Sequence, residues 1–286
     1  MRTVVVCVWL AWSAAAAEPP RRILVHGHRG SRGTHPENTL PAFAEALRAG
    51  ADVLELDLAV TKDDVLVVSH DPRVSPELCL GPDGKRLAAA VPIRSLTLAQ
   101  LKAYDCGSLK NPRFAEQVPV PGARIPTLDE VFLSAKSSPA EFNIETKIFP
   151  HEPALSPSPA EFAGLVARAL RRHGLEGRTM VQSFDVRTLK EMKKLAPRVR
   201  TAQLTSDELV DILPALRSAR ADIWSPFFEW TTPEAVREVQ TAGIQVAPWT
   251  LNEPKDWEWA AAAGVDAVIT DYPAKLIGFL REKKLR

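Results

Sequence analysis

Cysteine, tyrosine and methionine are scarce in this chain of 286 residues, with 3, 2 and 3 copies. No charge of one sign dominates either, since 36 lysines and arginines face 35 aspartates and glutamates. That balance excludes the positive field with which a nucleic-acid binder meets its phosphates. After residue 17 no apolar run is long enough to span a bilayer. Internal repeats, low-complexity tracts and a second segment with its own core pattern are also missing. The N-terminus does hold an apolar run, Val4 to Trp12, preceded by Arg2 and followed by Ala15-Ala16-Ala17. This is the layout of a secretory signal peptide over residues 1–17, too short to cross a membrane and cut near Ala17. The expected mature chain, 18–286, is one exported domain, periplasmic or secreted, and loses only Arg2 from the charge balance. Cys7 leaves with the leader. Cys79 and Cys106 then form one disulfide in an oxidising compartment or stay as two buried thiols.

Against this even background, five residues stand out, each where a strand-like run ends: His28, Glu55, Asp57, His70 and Glu145. Ile23-Leu24-Val25 stops at a loop dense in glycine and donors, His26 to Gly33, before a helix begins near Asn38 or Thr39, runs through Leu40, Phe43 and Leu47, and stops at Gly50. In Val53-Leu54-Glu55-Leu56-Asp57-Leu58 apolar and acidic residues alternate, so both acids share one side of a strand. Two neighbouring anions inside a fold require a positive partner; a solvated edge strand would also accommodate them. Val65 to Val68 leads into Ser69-His70-Asp71-Pro72, and the polar turn Thr61 to Asp64 makes 58–70 a hairpin whose return brings His70 to the level of the acids. In Glu141 to Lys147 the polar residues Asn143, Glu145 and Lys147 share a face. Glu145 completes a three-carboxylate set suited to a hard divalent cation, Ca2+ or Mg2+. Lys147 suits a non-bridging phosphate oxygen as a point charge, and His28 and His70 are residues of the type that titrates near neutrality, as an acid and a base require. Together they form a kit for cleaving a phosphodiester.

Eight strand-like runs, near 23–27, 52–57, 141–146, 179–183, 200–204, 222–225, 244–249 and 267–270, alternate with helix-compatible stretches. The helical stretches are Leu128–Lys136, Ala160–Arg172, Val186–Leu195, Asp207–Ser218, Pro233–Thr241, Pro254–Ala262 and a last one after Pro273. This alternation predicts a TIM (β/α)8 barrel with a β-hairpin extending strand two and the chemistry at the carboxyl ends of the strands. The stretch from about 72 to 126 reads as an insertion over the barrel mouth containing a short helix at 95–102. Phe184 and Trp249 fall at strand ends, where they and Trp224 offer an apolar wall or a cation–π face.

His28-Arg29-Gly30, Pro36-Glu37-Asn38-Thr39, Glu55-x-Asp57, Val68-Ser69-His70-Asp71, Asn143 to Lys147, Gln182 to Asp185, Trp249-Thr250 and Thr270 to Pro273, taken in this order, resemble the glycerophosphodiester phosphodiesterases. The resemblance spans nearly the whole mature chain. It departs at Thr146, where an aliphatic residue is usual, and at Ser69, where an aromatic is. It implies a TIM-like barrel with a divalent metal on Glu55, Asp57 and Glu145, and His28 and His70 as the acid/base pair. Arg29 and Lys147 are then on the phosphate, and the small-molecule substrate is hydrolysed to glycerol 3-phosphate and an alcohol such as choline. The attacking oxygen is a neighbouring glycerol hydroxyl or a water. A lysophospholipase D or sphingomyelinase D type of activity, and a non-catalytic barrel, are the competing readings.

Overall fold

The computed structural model describes residues 22–207 and 211–286; the signal peptide expected at 1–17 lies outside them. The chain opens with β1 (Leu24–Gly27), α1 (Leu40–Ala49) and β2 (Val53–Val60), from which β3 (Leu66–Val68) turns back. The insertion follows, with β4 (Arg73–Val74), β5 (Val91–Pro92) and α2 (Leu98–Leu101), and then α3 (Leu128–Ser134). Strands and helices alternate thereafter: β6 (Glu141–Thr146), α4 (Pro159–His173), β7 (Thr179–Ser183), α5 (Val186–Leu195), β8 (Arg200–Thr205) and α6 (Ile212–Ala219). The last elements are β9 (Ile223–Pro226), α7 (Pro233–Thr241), β10 (Gln245–Val246), α8 (Pro254–Ala263), β11 (Ala267–Thr270) and α9 (Pro273–Glu282).

Among the described residues the parallel strands run in the order β10-β9-β8-β7-β6-β2-β1-β11. Backbone bonds then draw the two ends together: Asp266 N–H donates to the Val246 carbonyl and Ile269 N–H to that of Pro248, both at 3.0 Å. The result is a nearly closed eight-stranded barrel with helices outside, the expected fold. The period-two pattern of β2 sorts its residues. Leu54, Leu56 and Leu58 join the core between strands and helices, whereas Val53 packs inside with Met180, Ala202, Ile223, Ala247 and Ala267 as an apolar floor. Phe43, Phe142 and Phe162 are fully buried in the outer layer, each worth roughly 2–3 kcal/mol of transfer free energy. The helices start and stop on local chemistry. The Thr39 hydroxyl caps α1 by accepting from Ala42 N–H, and Ser158 and Glu161 close a capping box on α4.

β3 pairs antiparallel with β2, Leu58 opposite Val68 and Val60 opposite Leu66, so the expected hairpin forms. The edge-strand alternative for β2 is excluded because β1 and β6 flank it. The insertion builds its own small cluster, in which Val74, Ile93, Leu101, Tyr104 and Ile125 pack on Ala59 and Val67 of the hairpin. Cys79 and Cys106 are joined in a disulfide within it. The helix expected at 95–102 is shorter, Leu98–Leu101, because Thr97 is its N-cap and Ile93–Ser95 forms a separate 3-10 turn. The strand expected at 244–249 is regular only over Gln245–Val246, with one further bridge from Trp249 to Phe227, and the helix expected from Asp207 is described from Ile212.

The loop after β1 turns through Arg29 (φ 50°) and Gly30 (φ 85°), both left-handed. A Cβ on Gly30 would stand 2.6 Å from the carbonyl carbon of Ala42 in α1, so loop and helix touch backbone to backbone. Gly50, also left-handed at φ 91°, has nothing within 4 Å of such a Cβ. Gly50→Ala is expected to cost about 1 kcal/mol, the strain of the conformation alone. Gly30→Ala adds a clash with a helix and is expected to cost clearly more, read from urea unfolding midpoints. Equal losses would show that the loop is not seated on α1.

Candidate active site

Register and pleat assemble the acids. β2 and β6 pair with Glu55 opposite Asn143 and Asp57 opposite Glu145, and β7 brings Gln182 opposite Glu145. Since Val53 points into the barrel, Glu55 and Asp57 do too, above the apolar floor. One oxygen from each of Glu55, Asp57 and Glu145 lies within 4.8 Å of the others, and all three residues are buried. Around them stands a set of donors. Arg29 N–H and Gln182 Nε2 donate to Glu55, each at 2.8 Å. Asn38 Nδ2 donates to Asp57 Oδ2 at 2.8 Å, and Lys147 Nζ lies 3.1 Å from Asp57 and 2.6 Å from Glu145. The Glu145–Lys147 ion pair is therefore real but buried at the site rather than on a solvent face. Arg29 Nη1 donates to Glu37 at 2.7 Å while its Nε lies 3.3 Å from Asp57.

Of four carboxylates, Glu37, Asp57 and Glu145 are paired with the two cations Arg29 and Lys147, and Glu55 has only uncharged N–H donors from the Arg29 backbone and Gln182. The deficit equals the charge of one divalent ion. The proton equilibria report the same strain. Burial, and then the neighbouring Asp57 charge, push Glu55 well above the usual carboxylate range, and burial pushes Glu145 up as well. Burial opposes the charge of Asp57 too, yet Lys147 and Arg29 outweigh it and hold that carboxyl well below its ordinary value. A carboxylate held toward its neutral form by a like-charged neighbour is what a cation would relieve. The all-oxygen donor set fits a hard divalent ion such as Ca2+ or Mg2+.

His28 and His70 line one cleft above the acids together with Arg29, Lys147, Phe184 and Trp249. His28 Nδ1 donates to Asp271 Oδ1 at 2.7 Å, which turns Nε2 toward the acids, 3.9 Å from Glu55 Oε2. Burial, reinforced by Arg32, lowers His28 to about 4, below the near-neutral range expected from its residue type, because the loop after β1 is enclosed rather than solvated; its imidazole is neutral near pH 7. Burial disfavours the charge of Asp271, but His28 and Arg32 hold that carboxylate well below its ordinary range. His70 follows Ser69, whose N–H donates to the Asp57 carbonyl at 2.9 Å, the level the hairpin was expected to give it. Its Nδ1 lies 3.1 Å from Asp71 and its side chain is 38% exposed. Phe184 meets Trp249 edge to face at 5.8 Å between ring centroids.

Trp224 is elsewhere. It is buried in the layer between strands and helices and donates from Nε1 to Thr205, because it lies one position out of phase with the residues of β9 that face inward. Thr146 also faces outward, onto Thr188 of α5, so its departure from the usual aliphatic leaves the cleft unaltered. The supporting residues Asp271, Arg32 and Asn252 were not expected. Arg32 binds Asp271 through two nitrogens at 2.8 and 2.9 Å, and Asn252 donates to it at 2.8 Å. Their signal was the Thr270 to Pro273 motif, in which an acid follows a strand end.

The model of the glycerophosphoryl diester phosphodiesterase family matches residues 28–275. A glycerophosphodiester phosphodiesterase of Caldanaerobacter subterraneus is 34% identical, covering 91% of this chain and 99% of the relative. A human lysophospholipase D is 29% identical, with 88% and 84% covered. A crystal structure of a glycerophosphoryl diester phosphodiesterase homologue from Silicibacter pomeroyi superposes with a TM-score of 0.87 at 34% identity, covering 93% of this chain and 95% of that one.

Beneath the acids, His26 is fully enclosed, with Asn143 Nδ2 at 3.4 Å from its Nδ1, and burial lowers it to about 3. The unfolded chain binds a proton near pH 6.5 that the fold refuses until about 3, so this residue makes stability fall as pH drops through that window. The slope per histidine is about 1.4 kcal/mol per pH unit. His26→Asn, which keeps a polar atom near the Nδ1 position, is expected to flatten the urea-unfolding stability between pH 6 and 4 by one proton. An unaltered slope would contradict a neutral His26.

Proposed function

The chain belongs to the glycerophosphoryl diester phosphodiesterase family and hydrolyses glycerophosphodiesters, and we propose that it does so with His28 and His70 as its acid/base pair at one divalent cation held by Glu55, Asp57 and Glu145. The observation that carries this reading is the charge deficit: three buried carboxylates converge within 4.8 Å beneath a cleft that both imidazoles line. A divalent cation would be held by Glu55, Asp57 and Glu145 and would supply Lewis-acid charge to the phosphate. Arg29 and Lys147 add fixed positive charge beside it, where negative charge grows as phosphorus becomes five-coordinate. His28, with Nδ1 tied to Asp271, offers the Nε2 lone pair to the proton of the attacking oxygen. His70, at the solvent side of the same cleft, supplies a proton to the departing alcohol. With water as the attacking oxygen, one phosphorus–oxygen bond forms and one breaks, giving glycerol 3-phosphate and an alcohol such as choline or ethanolamine; with a neighbouring glycerol hydroxyl the same exchange gives a cyclic phosphate, which a water then opens in a second exchange. Phe184 and Trp249 give the glycerol half an apolar wall.

The apolar run Val4 to Trp12 followed by Ala15-Ala16-Ala17 supports reading residues 1–17 as a leader for export to the periplasm or beyond, and the Cys79–Cys106 disulfide suits an oxidising compartment. Among the described residues no helix is long and apolar enough to cross a membrane. A lysophospholipid substrate is the second reading, favoured by the likeness to a human lysophospholipase D.

Glycerol 3-phosphate release from glycerophosphocholine is expected to stop with EDTA and return with added Ca2+ or Mg2+. His28→Ala and His70→Ala are each expected to lower kcat by roughly 10²–10⁴-fold with the circular-dichroism spectrum preserved. Turnover that survives chelation and both substitutions would overturn the site as drawn.

A further inference from the structure

Among the described residues, Glu55 is the acid of the cluster with no lysine or arginine side chain paired to it, since Arg29 and Lys147 go to its neighbours. Its Oε2 accepts from the Arg29 backbone N–H and its Oε1 from Gln182 Nε2, each at 2.8 Å. Behind Gln182 the contact continues. Asn143 Nδ2 donates to Gln182 Oε1 at 2.9 Å and lies 3.4 Å from His26 Nδ1. A row of polar side chains thus crosses the barrel interior from β1 through β6 and β7 to Glu55 on β2, and all four members are buried.

Chemistry sets the direction of this row. A carboxylate offers only acceptors, so Gln182 turns its NH2 to Glu55. Its Oε1 then faces Asn143, which answers with its own NH2. Asn143 Oδ1 is left buried with no partner, although a buried acceptor without a donor is costly. A row that only filled the barrel would satisfy that oxygen or be apolar, as the floor of Val53, Met180, Ala202 and Ile223 is. Instead every amide N–H in it serves the direction that ends on Glu55.

We propose that Gln182 and Asn143 are positioning residues for the divalent cation, holding the Glu55 carboxylate in place as a ligand before the ion arrives. The inference rests on the metal reading above and adds two residues that act on the ion through Glu55. Lys147 steers Asp57 and Glu145, but the like charge of Asp57 pushes Glu55 away. Gln182 opposes that push, so less reorganisation remains for the ion to bring about.

Titration calorimetry of the folded protein with Mg2+ and with Ca2+ tests this in the wild type, Gln182→Met, Asn143→Leu and the double variant. Gln182→Met keeps the side-chain length and removes the donor. It is expected to weaken ion binding by roughly 10–100-fold, the cost of losing a partner behind a metal ligand. Asn143→Leu reaches Glu55 only through Gln182 and is expected to cost about fivefold, the scale of one neutral hydrogen bond. Because the two act in series, the double variant is expected to bind within about twofold of Gln182→Met. Asn143→Leu also decides the matter if Gln182→Met does not fold. Gln182 lines the cleft as well, so KM for glycerophosphocholine and the urea unfolding midpoint are measured alongside. Wild-type ion affinity in the single variants, with only KM raised or only the midpoint lowered, would overturn the proposal, as would fully additive losses. A wild type that binds neither ion would overturn the underlying metal reading instead.

Discussion

The crowding of Glu55, Asp57 and Glu145 inside the barrel is the constraint on which the rest of the molecule depends. Three anions in a low-dielectric interior repel one another strongly, and burial alone makes each costly. The fold holds them because β2 and β6 pair in a register that sets Asp57 beside Glu145, and because each carboxylate has a donor or cation assigned to it. The donors dictate conformation elsewhere. Arg29 must be left-handed for its N–H to reach Glu55. Asn38 is left-handed as well, and its side chain turns to Asp57, so helix capping falls to Thr39 instead. Local backbone strain of this kind is offset by the polar contacts it makes available.

The same logic explains why the insertion is more than a cover. Gln117 Nε2 donates to the carbonyls of Arg32 and His35, and Val118 N–H to that of Thr34. Phe114 lies under the Arg32 guanidinium at 4.9 Å. Arg32 in turn grips Asp271, which orients His28. A continuous path therefore leads from the insertion, through the loop after β1, to the imidazole beside the acids. Rigid support of this sort is what a catalytic group requires to stay within reach of its reacting atom.

How much of this is legible in the sequence follows from which forces are local. The pair Glu55 and Asp57 is legible because strand periodicity is two and places both on one side. The level of His70 is legible because a hairpin of known turn length fixes its return. Thr39 and Gly50 mark α1 through capping chemistry alone. What sequence spacing does not carry is phase in a short strand and partnership across the fold. Trp224 reads as a cleft aromatic, yet β9 turns it outward, and nothing in four residues fixes that choice. Asp271 is separated from His28 by 243 positions, so its role becomes visible only once β11 lies beside β1. The insertion is the extreme case: its order comes from a disulfide and a small cluster shared with the hairpin, neither of which has a period.

These two kinds of order divide the labour of the site. The chemistry that any phosphodiester demands, charge at phosphorus and two proton positions, rests on barrel strands and their immediate ends, where pairing on both sides limits movement. The 36–39 loop and the insertion lie outside the barrel's strand pairing and are held instead by loop hydrogen bonds, the disulfide and the small cluster on the hairpin. His70 stands at the join, with its position set by the hairpin and its far side facing the insertion. The register itself admits no change, since a one-residue slip of β2 against β6 would send Glu55 and Asp57 into the apolar layer occupied by Leu54, Leu56 and Leu58.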